Sequence, residues 1–142
     1  MKIALVCDWY RPRFGGIELH LEELGRRLAL AGHEVAVVTP TPGVDPDGGA
    51  VRVHRIPALL APRFGFIWTP GAFRRLKAAL AGDSFDVVHS HSSIISPAAN
   101  GSAYFAARLG IPAVVTVHSI WGRFGHVLGT LDRAFSWSRW PV

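Results

Sequence analysis

Three short runs hold residue types that can do chemistry. GGIELH (15–20) sets two adjacent glycines and a histidine where an apolar run gives way to a helical one. DVVHSHSS (86–93) carries His89 and His91 among serines, and VTVHS (115–119) ends in His118 and Ser119. A glycine at a strand-to-helix turn lets backbone amides approach an anion closely, and the helix N-terminus adds partial positive charge. On spacing alone, Gly15 and Gly16 fit a phosphate-binding lip and a tight turn needing positive φ equally well. No G-x-G-x-x-G or Walker A pattern accompanies them. Arg11 and Arg13 stand just upstream as cations for an anionic ligand. His20, four residues after Gly16, shares its helical face.

The two histidines of HSH are expected to face opposite ways, His89 into the core and His91, past the strand end, toward a cleft. A metal reading needs His118 as a third ligand on the neighbouring strand. Nothing in the spacing marks an HxH metal site, so no metal is expected. A neutral imidazole at His118 can hydrogen-bond a substrate hydroxyl or stabilise charge developing beside a leaving group. The plainer alternative is a histidine that caps the next segment.

These residues need elements to position them. Strand candidates are Ile3 to Cys7, Glu34 to Thr39, Val51 to Ile56, Asp86 to Ser90 and Ala113 to Val117. They are mostly apolar on both faces, as a sheet covered on both sides requires. Helix candidates are Gly16 to Ala31, Pro70 to Ala81 and Pro97 to Leu109, with a weaker one from His126 to Phe135. In the first, Ile17, Leu21, Leu24 and Leu28 make one apolar stripe, and Gly32 ends it as a C-terminal cap. Glu22 with Arg26 and Glu23 with Arg27 form i, i+4 pairs. Alternation of strand and helix predicts an α/β fold of the Rossmann-like, doubly wound kind with a mainly parallel sheet. The connector 39–49 is turn-rich and holds no helix, which makes strand three an expected antiparallel edge. Ligands of such a sheet bind outside the carboxyl ends of the strands. The loops DWYRPRFGG, HSHSS and HSIWGRFG fall there.

Composition narrows the function classes. The chain has 142 residues, 49% of them hydrophobic, enough for one domain with one core. Lys plus Arg number 15 against 10 acids, a net charge of +5, which favours an anionic ligand or an anionic membrane surface. The segment 62–77 interleaves Phe64, Phe66, Ile67, Trp68 and Phe73 with Arg63, Arg74, Arg75 and Lys77. It reads equally as a bilayer-docking surface and as an amphipathic helix over the sheet. The single Cys7 excludes a disulfide framework and a cysteine zinc site, and fits a cytoplasmic setting. The apolar run after Met1 is too short for a signal peptide core, and no run reaches the ~18 apolar residues of a membrane span. A nicotinamide enzyme is disfavoured, because Thr39 and Pro40 stand where an acid should end strand two. Nucleic-acid binding has only the charge behind it.

GGIELHLEELGRRLALAGHEVAVVTP, then VVHSHSS, then VVTVHSIWG together resemble the N-terminal domain of GT-B glycosyltransferases of the family 4 type, from Met1 to about Phe124. Within the family they look most like the branch that transfers N-acetylglucosamine to phosphatidylinositol, with bacterial phosphatidylinositol mannosyltransferases close behind. The resemblance implies a retaining transferase of two Rossmann-like domains that uses a UDP- or GDP-sugar as co-substrate and no metal cofactor. It implies that Gly15 and Gly16 meet the donor diphosphate and that His118 lies near the reacting sugar. Arg13, His20, His91, Ser92 and Ser119 become acceptor-side residues. The acceptor is a hydroxyl, with an inositol lipid as the implied example, which places the protein peripherally on the cytoplasmic face of a membrane. The family's Glu-x7-Glu motif is missing: none of Glu18, Glu22, Glu23 and Glu34 stands eight residues from another. The expectation is therefore one half of a cleft, residues 1–142, with the donor-binding domain outside this chain. The alternative is a Rossmann-like interaction domain without the reaction.

Overall fold

A computed structural model describes residues 1–45, 49–58, 60–61, 66–67, 70–93 and 95–119. Strands β1 (Lys2–Cys7), β2 (Glu34–Thr39), β3 (Arg52–Arg55), β6 (Val87–Ser92) and β7 (Ala113–Val117) form one sheet in the order β3-β2-β1-β6-β7. Every pairing in it is parallel. Helices α1 (Gly16–Leu30), α2 (Pro70–Gly82) and α3 (Pro97–Leu109) connect the strands. Two-residue strands β4 (Leu60–Ala61) and β5 (Phe66–Ile67) pair antiparallel. The Rossmann-like α/β expectation is borne out.

The period of two along β1 decides which helix covers which face. Ala4 and Val6 pack in a core with Leu76 and Leu80 of α2 and Ala106 of α3. Ile3, Leu5 and Cys7 face the other way, onto Leu21 of α1 with Ile17, Leu24 and Leu28 around it. The predicted stripe of α1 is thus its buried face. Leu21 is fully buried, so truncating it to Ala costs about 2–5 kcal/mol. Gly32 (φ 85) and Gly110 (φ 71) turn the chain out of α1 and α3 in the left-handed region, where glycine is needed.

Several expectations are corrected. β3 runs parallel to β2, with Ala36 opposite Arg52 and Thr39 opposite Arg55. A parallel return needs a crossover of about a dozen residues but not a helix, and 40–51 is long enough. Glu23 binds both Arg26 and Arg27, at 2.9 and 2.6 Å, while Glu22 pairs with Arg11 instead of Arg26. Phe73 is half-buried, with its ring centroid 6.3 Å from that of Phe105 on α3. Arg74, Arg75 and Lys77 are exposed on α2. β7 is an edge strand with Val114, Val115 and Val117 exposed, unlike the strands covered on both faces. The expected helix 126–135 and the loop after Ser119 lie outside the described residues, as do Arg63, Phe64 and Trp68. Among the described residues no helix is long and apolar enough to cross a membrane.

Candidate functional site

From β1 the chain moves outward through β2 to β3, then returns to the other side of β1 as β6 and β7. The strand order reverses between β1 and β6, and an open α/β sheet holds its ligand crevice at that point, outside the carboxyl ends. A crevice of about 370 Å³ lies there. One wall is the β1–α1 loop, with Cys7, Asp8, Trp9, Arg13 and Gly15 to Glu18; the other is His91, Ser93, Ile95 and Ser96.

Geometry separates the two glycines. Gly15 has φ −161 and ψ 179, extended backbone open to any residue, and Gly16 does not have positive φ either. The positive-φ turn is therefore not why they are glycine. A Cβ on Gly15 would lie 2.5 Å from Glu18 Oε2, so Gly15 makes room for a carboxylate that folds back over the start of α1. A Cβ on Gly16 would meet nothing within 4 Å. Neither backbone nor protein packing explains Gly16, and it lines the crevice at the first turn of α1.

Two acids that the sequence reading passed over are built into this wall. Glu18 is 6% exposed and pairs with Arg13 at 3.6 Å, and the Arg13 guanidinium lies 4.4 Å from the Trp9 ring centroid. Asp8, 3% exposed, accepts the backbone N–H groups of Ala98 (2.8 Å) and Ala99 (3.2 Å). It caps α3 from across the sheet, in place of a cap from the Ser96 side chain. Burial raises its carboxyl to about 6, against the lowering effect of those N–H groups and Ser96. The signals were an acid directly after the β1 run and an acid three residues past Gly15.

The histidines are arranged differently from the expectation. β6 runs on through His91, which is 1% exposed. His89 and His91 are two residues apart and so share one face of the sheet, with rings 4.1 Å apart. Because Ser90 between them turns to Ser102 of α3, that face is the one under α1. His20 of α1 stands 5.7 Å from the His91 ring and 5.3 Å from that of His118. His91 Nδ1 and His118 Nε2 share a hydrogen bond of 3.0 Å, and His89 Nε2 bonds Thr116 Oγ1 at 2.7 Å. Desolvation first and neighbouring imidazoles second hold the His91 ring down to about 3; the same causes lower His89 and His118. All three are neutral at pH 7.

The predicted site residues thus fall into groups. Arg13, Gly15, Gly16 and His91 line the crevice. His118 and His20 adjoin it through His91. Ser92 is buried, its hydroxyl donating to Ser93 O and Asn100 Oδ1, so it fastens β6 to α3 and does not line the crevice. Ser119 is half-buried, next to His118.

The model for Glycosyltransferase Family 4 matches residues 14–141. The phosphatidylinositol N-acetylglucosaminyltransferase GPI3 subunit of Saccharomyces cerevisiae is 30% identical over 126 residues, 85% of this chain and 28% of that protein. A GDP-mannose-dependent alpha-mannosyltransferase of Mycobacterium tuberculosis is 30% identical over 98% of this chain and 38% of its own length. A phosphatidyl-myo-inositol mannosyltransferase of Mycolicibacterium smegmatis is 36% identical over 64% of this chain and 24% of its own. Apo UGT2 of Phytolacca americana shares the fold, with a TM-score of 0.53 and 16% identity over 94% of this chain and 33% of that one. The chain therefore spans well under half the length of these relatives. With its crevice at the strand-order reversal and its sequence matched from Phe14 to Pro141, the chain belongs to glycosyltransferase family 4.

Proposed function

We propose that this domain is the acceptor-side half of a retaining glycosyltransferase, which moves a sugar from a UDP- or GDP-sugar to a hydroxyl of an inositol lipid. The observation that carries the reading is the open space at Gly16, in the crevice wall at the N-terminus of α1. Backbone N–H groups there can meet a diphosphate at close range, helped by the helix dipole. Arg13, steadied by Trp9 and Glu18, supplies a cation beside it. His91 Nδ1 engages Nε2 of His118, which leaves Nδ1 of His118 for a substrate hydroxyl. A neutral imidazole at that point accepts or donates one hydrogen bond as charge develops, with no metal cofactor needed. Names of relatives support the substrate classes: one is GDP-mannose-dependent and two act on phosphatidylinositol or phosphatidyl-myo-inositol. Arg74, Arg75 and Lys77 of α2 provide a peripheral contact with anionic lipid on the cytoplasmic face.

The donor is mostly held by a second domain outside this chain, so purified residues 1–142 should not turn over. The test uses the longest reading frame that carries the chain, with a panel of nucleotide-sugars and phosphatidylinositol vesicles. One donor should give a glycolipid product, and His118→Ala should lower kcat by about 100-fold or more. Failure of every donor would show a domain that keeps the fold without the reaction, and full activity in the variant would remove His118 from the chemistry.

A further inference from the structure

We propose that His20, His91 and His118 bind one transition-metal ion of the zinc type, and that this ion restrains the site instead of serving its chemistry. Three separate elements bring these imidazoles together: α1, β6 and the end of β7. One ring nitrogen from each lies within 4.8 Å of the other two. The His91 Nδ1 to His118 Nε2 distance of 3.0 Å is already near the ~3.3 Å that separates two nitrogens about 2.0 Å from a tetrahedral zinc ion. His91 is buried in the sheet and cannot move far, whereas His20 is exposed and can turn inward by the remaining ångström or so.

His91 Nε2, the ring nitrogen turned away from His118, is buried without a hydrogen-bond partner among the described residues, so it fixes no tautomer from its side. The other nitrogen meets a second imidazole, not a carboxylate or carbonyl that would fix a tautomer. Two facing imidazole nitrogens need one proton between them, whereas a cation between them uses both lone pairs. A set of three imidazoles without a carboxylate suits zinc, copper or nickel and not magnesium or calcium. Three protein ligands leave a fourth position open.

An ion held here occupies ring nitrogens of His91 and His118 and displaces the bond between them, so zinc should inhibit transfer. That consequence rests on the role of His118 proposed above; the binding does not. Tag-free chain is titrated with Co²⁺, read by visible absorption, and zinc is then used to displace it. One ion per chain should bind at micromolar concentration with the intense d–d bands of a tetrahedral nitrogen-rich site. His20→Ala and His118→Ala, neither in the core, should each weaken binding by about 10-fold or more. A His33→Ala, His54→Ala double variant should bind as wild type. Absence of tetrahedral bands, or unchanged affinity in both His20→Ala and His118→Ala, would overturn the site. Zinc inhibition is measured separately on the longer protein, so loss of the transfer reading leaves the binding result standing.

Discussion

Replacing Gly16 with Ala should raise stability while lowering activity. Gly16 opens α1 without positive φ, and its added methyl meets no atom within 4 Å. Alanine removes backbone entropy from the unfolded chain and improves helix propensity, worth about 1 kcal/mol inside a helix and about 0.5 kcal/mol in the first turn. For a domain of this size that is a Tm rise of about 2 °C. A methyl in space used by a diphosphate introduces misfit of about 1–3 kcal/mol, or about 5- to 150-fold in kcat/KM. Gly15→Ala is the control, because its methyl lands 2.5 Å from Glu18 Oε2 and must displace a buried carboxylate paired with Arg13. That variant should lose about 1–3 kcal/mol. Urea unfolding of the chain and donor kinetics on the longer protein separate the two effects. Wild-type kcat/KM in Gly16→Ala would mean that the space beside Gly16 has no occupant.

Three further outcomes follow from the geometry. Burial raises Asp8 from its ordinary 3.8 to about 6, so its share of stability is complete below pH 3.8 and lost as pH rises through about 6. At about 1.36 kcal/mol per unit this amounts to about 3 kcal/mol. Asp8→Asn should therefore gain on wild type by up to that amount between pH 4 and 7 in urea melts, and a pH-independent difference would reject burial as the cause. Gly101→Ala puts a methyl 2.7 Å from Phe73 and should cost about 1–3 kcal/mol by separating α2 from α3; an unchanged melting temperature would contradict that packing. Reversing Arg74, Arg75 and Lys77 to Glu should weaken sedimentation with phosphatidylserine vesicles at low salt, each lost cation counting about 1 kcal/mol. Equal pelleting would remove α2 as a membrane contact.

Periodicity made the framework legible, because the β1 and α1 apolar patterns each point to a single partner surface. It did not deliver strand ends. Residues 91–92 look like loop by polarity, yet β6 continues through them because Cys7 and Val117 on either side pair with His91 and Ser92. The expected opposite facing of His89 and His91 misapplied the same period of two that sorts β1. Asp8 and Glu18 were missed because local sequence gives no sign that an acid is buried; Asp8 finds its partners some 90 residues away, on α3. The parallel direction of β3 was hidden for a similar reason, since a crossover without a helix leaves no periodic signal. His118 and the glycines stood out through their position at strand ends and their likeness to a family. Only the folded structure separates a glycine that accommodates Glu18 from one that faces open space.

Ligand binding in the crevice between β1 and β6 can be measured on the ¹⁵N-labelled chain by following amide and imidazole resonances during titration with inositol phosphate and, separately, a nucleoside diphosphate. Shifts are expected at Gly16, His91, Ser93 and His118, with residues around a second crevice lined by Tyr10, Val44 and Val53 unmoved. Shifts confined to that second crevice, or none with either ligand at millimolar concentration, would contradict it.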